Sequence, residues 1–83
     1  MNVGDQVFIR TVTYHYTGKV VEIDDLYVHL SDAAWIAESG RWNAALTSGQ
    51  LSEVEPYPSG VSVAKAAIVD VSPWNHPLPD KTI

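Results

Sequence analysis

Three histidines, ten carboxylates and three tryptophans are the side chains of this 83-residue chain best suited to chemistry or recognition. A zinc-like centre needs three or four imidazole, thiolate or carboxylate ligands converging on one point. His15, His29 and His76 show neither His-x-His nor His-x3-His spacing, and they fall at a strand end, an outward strand position and a proline-rich tail. There is no cysteine to complete a set, so no metal ligand and no cofactor is assigned. His76, between Asn75 and Pro77, reads instead as a polar residue at a docking surface. Asp24, Asp25 and Asp32 are the carboxylates that would hold a hard cation or form an acid–base pair. Asp-Asp between two strands is, however, turn chemistry, and Asp after Ser31 is what a helix start selects. Glu22, Glu53 and Glu55 alternate outward, where they keep the surface soluble and protect sheet edges. No Ser–His–Asp set, nucleotide-binding glycine loop or phosphate cradle is present. The chain is therefore expected not to be an enzyme, with no catalytic residue.

The aromatic residues offer recognition rather than reaction. Trp35 and Trp42 lie seven apart, the spacing of one helix face, with Gly40 between them. They read either as a helical lid over an open barrel end or as an exposed patch for a partner, since Trp with Arg41 beside it is what interface hot spots favour. Tyr14, Tyr16 and Tyr27 read either as a strip that could stack bases or as plain cross-strand pairs. A net charge of −5 with only Arg10, Lys19, Arg41, Lys65 and Lys81 as cations argues against nucleic acid and anionic membrane surfaces as partners.

These residues must be positioned by a single domain, near the size at which one core only just offsets chain entropy. No stretch approaches the roughly 20 apolar residues of a membrane span. Met1–Asp5 lacks the basic start and apolar run of a signal peptide, so a soluble protein made in the cytoplasm is expected. Val7 to Tyr16 is rich in β-branched and aromatic residues and reads as one long strand, bent near Thr11–Thr13, with Thr17-Gly18 as the turn. Lys19–Ile23 and Leu26–Leu30 follow as a hairpin across Asp24-Asp25, with Leu26, Val28 and Leu30 towards the core. At Ser31 the apolar spacing changes from two to helical, predicting a short helix up to Gly40 and a further turn or two over Arg41–Leu46, closed by Gly49. Leu51–Glu55 alternates as a fourth strand, Pro56–Gly60 is a loop, and Val61–Val71 contains the fifth strand.

The expected architecture is mainly β: a small SH3-like barrel of about five strands over residues 1–71, with one or two short helices inserted at about 31–48 before the fourth strand. Residues 72–83 are predicted to form an extended proline-rich C-terminal arm. Each proline lacks an N–H and biases its predecessor to extended geometry, so the arm can neither pair in a sheet nor start a helix. A segment already near polyproline geometry loses little entropy on docking. Trp74, Pro77, Leu78 and Ile83 are therefore the expected partner contacts, followed by Trp35 and Trp42. Truncation after Val71 is then expected to leave a folded domain that no longer assembles.

The stretches Ile9–Tyr14, Leu30–Gly40 with Asp32-Ala33-Ala34-Trp35-Ile36-Ala37, Glu53–Pro58, and Ala67–Asp70 followed by Trp74 and His76-Pro77-Leu78-Pro79 together resemble a family of small uncharacterised proteins from tailed phages and prophages. The resemblance spans about Val3 to Pro79. It implies a viral setting, and carries over no activity, cofactor or functional residue. The expected function is a phage structural protein, a capsid decoration (cement) or head/tail accessory protein, that binds copies of itself or a major capsid or tail protein in the virion. The alternative is a phage-encoded adaptor or regulatory module that binds a host or phage protein through its barrel groove and the tyrosine strip.

Overall fold

The computed structural model describes all 83 residues. Six antiparallel strands and one helix make up a mainly β domain: β1 (Gln6–Thr11), β2 (His15–Ile23), β3 (Tyr27–Glu38), α1 (Trp42–Ser48), β4 (Glu53–Pro56), β5 (Val61–Ala64) and β6 (Ile68–Pro73), with a 3₁₀ turn over Lys65–Ala67. The order is β4-β3-β2-β1-β6, and β5 also pairs with β3. Since β2 occupies one edge of β3, β4 and β5 share the other, opposite Ala34–Glu38 and Tyr27–Leu30 respectively. No ladder joins β6 to β4 or β5, so the sheet is open. It is strongly curved all the same. In a flat sheet the four steps from β5 to β6 would separate them by about 19 Å, whereas the chain from Ala64 to Ile68 reaches at most about 14 Å.

The run expected as one strand from Val7 to Tyr16 is a hairpin. Thr11 Oγ1 accepts the Tyr14 N–H at 3.0 Å, and the Thr11 N–H donates to the Tyr14 carbonyl at 2.9 Å, which turns the chain at Val12-Thr13. A threonine hydroxyl bonding the backbone ahead of it is turn chemistry without glycine or proline. The expected turn at Thr17-Gly18 lies inside β2, with both residues buried. Gly18 serves close packing instead, since a Cβ there would stand 2.9 Å from Leu30 Cβ.

The helix expected from Ser31 to Gly40 is also a correction, because β3 continues through it to Glu38. The pairs Thr17↔Ala34 and Lys19↔Ser31 leave one extra residue in β3, and Asp32 adopts a left-handed φ of 47° there. A bulge of this kind switches strand parity. Leu30 and Ala33 thereby share one face although they are three apart, which is the spacing that mimics a helix. Only α1 remains of the insertion expected at 31–48, ending where predicted: Gly49 is left-handed at φ 76° and its N–H bonds the Ala45 carbonyl. Leu26, expected in the core, lies in the hairpin turn and is exposed, while Val28 and Leu30 are buried as expected. The 3₁₀ turn divides the expected fifth strand in two, raising the number of strands to six.

Both faces of the sheet are packed. Val7, Ile9, Val20, Val28, Leu30, Ala33 and Val63 form one cluster, and Phe8, Ala34, Ile36, Val54 and Trp74 form the other. Trp42 of α1, Leu51 and Leu78 cover the second cluster. The tail beyond β6 carries no helix or strand, yet it is tied to its own domain. Trp74 N donates to Gln6 O at 2.9 Å and its indole Nε1 to Pro77 O at 3.3 Å; His76 Nε2 donates to Leu46 O at 2.7 Å, and Ile83 N to Val54 O at 3.0 Å. Trp74 is 1% exposed, so its expected role as a contact for another chain is corrected: it fills the core of its own. Truncation after Val71 would remove that residue, and a folded remainder is no longer expected.

Trp74→Ala should destabilise the domain by about 3–5 kcal/mol, the usual range for deleting a buried large aromatic, measured by urea unfolding. Thr17 Oγ1, buried between Phe8 and Ala34 without a hydrogen-bond partner, should behave oppositely. Thr17→Val should stabilise by about 1 kcal/mol, since it keeps the shape and removes an unsatisfied hydroxyl.

Candidate functional site

The three histidines stay apart. His15 on β2 packs against the rings of Phe8 (5.9 Å) and Trp42 (6.2 Å). His76 bonds the end of α1 through Leu46, as described above, and fills the space beside Gly49. His29 on β3 faces Asp24 Oδ2 through Nε2 and Ser62 Oγ through Nδ1, each at 2.6 Å.

The β2–β3 hairpin register places Glu22 opposite His29. Glu22, Asp24 and His29 therefore bring one potential ligand atom each within 4.8 Å of one another, a meeting that the sequence reading did not foresee. The turn chemistry foreseen for Asp24 is present: Oδ1 accepts the N–H groups of Leu26 (2.8 Å) and Tyr27 (2.7 Å). The His29 bond, followed by these two, lowers the Asp24 carboxyl from its ordinary 3.8 to about 2. With one oxygen held by the backbone and the other by imidazole, this group closes the hairpin.

Arg10 and Asp70 form the other ion pair, directly opposite each other on β1 and β6, with Arg10 Nε 2.9 Å from Asp70 Oδ1. The guanidinium lies 4.8 Å over the Trp42 ring. Its bonds raise Arg10 and hold Asp70 below the usual carboxylate range. Trp42 also meets Phe8 edge-on at 4.7 Å. Much of its surface is thus used within the domain, on the sheet face opposite Trp35, and the single helical face expected for Trp35 and Trp42 does not exist.

Four accessible aromatic residues gather on the first face. Tyr16 of β2 stands directly opposite Trp35 of β3, and Trp35 opposite Glu55 of β4. The Tyr14 ring meets Trp35 edge-on at 5.2 Å, and the Tyr57 ring lies 6.3 Å from Tyr16. Tyr14 is 50% exposed, and Tyr16, Trp35 and Tyr57 are half-buried. Burial, with the adjacent Tyr16, raises Tyr57 and keeps its phenol protonated. Two members of the expected tyrosine strip are therefore in this row. Tyr27 is not: it lies at the far end of the β2–β3 hairpin, against His29. Tyr57 was missed, although its place between Pro56 and Pro58 marks a held loop. Of the expected tail contacts, Leu78 is half-buried against the second cluster, while Pro77 and Ile83 are exposed.

No protein-family model, curated protein or solved structure matches the chain. No helix is long and apolar enough to cross a membrane.

Asp24→Asn should melt below the wild type at about pH 6, because an amide has one acceptor oxygen: it can keep the two backbone bonds, more weakly for want of charge, and loses the acceptor facing His29. A depressed carboxyl stabilises the fold above its unfolded value and loses that effect as it protonates. The gap between variant and wild type should accordingly close as pH falls from 3.8 to about 2. Thermal melts across that interval check this, and a gap unchanged at the acid end would rule out the assignment.

Proposed function

We propose that the chain is a non-enzymatic protein-interaction module, a small SH3-like barrel that docks a short segment of another protein on the row Tyr14, Trp35, Tyr16 and Tyr57. The observation that carries this reading is the pairing of Trp35 with Tyr16 on a half-exposed face, with Tyr14 and Tyr57 flanking them. Aromatic side chains offer large contact area with few rotatable bonds, which is why they dominate binding hot spots. Trp74 is buried, Trp42 packs edge-on against Phe8, and Tyr27 stands exposed by itself at the far hairpin, so this row is where accessible aromatic rings adjoin one another.

The barrel reading is supported by the three-residue 3₁₀ turn that carries the chain from β5, on β3, to β6, on β1, at the opposite end of the strand order. The resemblance to small phage proteins supplies the setting, a phage-encoded adaptor that binds a host or phage protein. A virion accessory role is the second reading. Pro77 and Ile83, both exposed, are the tail residues available for a lattice contact in that case. Many copies per particle by proteomics of purified virions would support the second reading, and none would leave the adaptor.

Screening a random peptide display library against the protein tests the docking row. Wild type should enrich a consensus, and Trp35→Ala should weaken binding of the enriched peptide by about 30-fold, as expected for a hot-spot aromatic. The variant's circular dichroism should stay that of the wild type. Failure to enrich any consensus, or a consensus indifferent to Trp35, would overturn the proposal.

A further inference from the structure

Next to the aromatic row lies a cleft of about 600 Å³, formed where the β3 bulge meets the loop after β4 and the C-terminal tail. Asp32, Pro56, Tyr57, Pro58, Leu78 and Asp80 supply most of its wall. Two carboxylates, one aromatic ring, Leu78 and prolines thus line one space together with uncharged polar residues, and no lysine, arginine or histidine lines it. Lys19 is opposite Gln6 by register and Lys81 follows Asp80, but neither side chain is part of the wall. Arg10 is engaged by Asp70. The cleft therefore carries negative charge that the chain itself does not neutralise there, on a protein of net charge −5.

Asp32 adds a specific argument. Its left-handed backbone, at φ 47°, is open to Gly, Asn or Asp. Gly or Asn would satisfy the bulge equally well, so the backbone alone does not account for a carboxylate. The cleft is also continuous with the docking row, because Tyr57 lines the cleft and its ring adjoins Tyr16, which faces Trp35.

We infer that the segment docked on the aromatic row carries an arginine, and that its guanidinium seats in this cleft against Tyr57, between Asp32 and Asp80. The inference rests on the interaction-module reading and names the chemistry of the partner. A guanidinium suits this wall better than an ammonium: it is planar, stacks on an aromatic face, is weakly hydrated and pairs with carboxylates through several N–H groups. The opposite charge also steers a basic segment towards an acidic surface before contact. Tyr57, raised by burial and by Tyr16, stays neutral beside the cation.

The test uses two probes of nearly the same shape, N-acetyl-arginine amide and N-acetyl-citrulline amide, the second with a neutral urea in place of the guanidinium, titrated into isotope-labelled full-length protein and followed by NMR. Arginine amide should shift the backbone signals of Asp32, Tyr57 and Asp80 in a saturable way, and citrulline amide should bind about tenfold more weakly, a loss of the size that removing ion pairs and a cation–π contact produces. Asp32→Asn combined with Asp80→Asn should erase the difference between the probes. Asn keeps the left-handed backbone, so an unchanged amide spectrum elsewhere shows that the double variant folds. Equal binding of the two probes, or shifts confined to the Glu22–Asp24–His29 hairpin, would overturn the inference. If display yields a Trp35-dependent consensus without arginine, the arginine site falls and the interaction reading stands. If the amide titrates as described while no consensus depends on Trp35, the arginine site stands and the docking row falls.

Discussion

The packing of Trp74 against Phe8 is the contact on which the rest of the molecule depends. β1 places Val7 and Ile9 on one face and Phe8 on the other, and all three are fully buried. A sheet of this size exposes a second face that no partner sheet covers, and α1, seven residues long, is too short to do so alone. Trp74 closes the gap, its ring 5.6 Å from Phe8 and its backbone bonded to Gln6. Burying a large aromatic removes roughly 150–250 Å² from water, worth on the order of 4–6 kcal/mol before entropy is charged. Domains of this kind are stable by about 5–15 kcal/mol in total. A tail that left Trp74 free to seek another molecule would give up a large part of that.

Once Trp74 is fixed, the remainder of the tail has little choice of path. The indole bond to Pro77, the His76 bond to the end of α1, Leu78 on the second cluster and the Ile83 bond to Val54 take it across the covered face. The prolines that keep it out of regular structure also make it a low-entropy strap. It acts on its own subunit. By filling one face, the strap and α1 leave the Tyr14–Trp35–Tyr16–Tyr57 row accessible on the other, and the tail's return past Asp80 completes the cleft beside Tyr57.

Elements whose signal is local were legible. The Asp24-Asp25 turn, the Lys19–Ile23 strand, the loop that follows Pro56 and the helix closed by Gly49 all follow from residues within a few positions of one another. Misreadings occurred where a long-range contact set the conformation. Gly18 looked like a turn residue because glycine usually is one, but Leu30, twelve positions on, needs the space where its side chain would be. The Asp32 bulge produced a helix-like spacing inside a strand. The Val12-Thr13 reversal was concealed in a run of β-branched residues because its turn is built by a threonine hydroxyl.

Composition and pattern alone determined that the chain is a small, acidic, mainly β domain without cysteine, in which tryptophan and tyrosine are the residues able to hold a core or a partner. Those properties depend on side-chain chemistry and on near neighbours, which a linear sequence displays directly. Which aromatic residues are buried and which stay accessible was decided only by tertiary structure. Trp74 lies sixty-six positions from Phe8, and Trp35 nineteen from Tyr16. Strand register and the curl of the sheet bring the first pair into the interior and leave the second at the surface, and neither distance can be read along the chain.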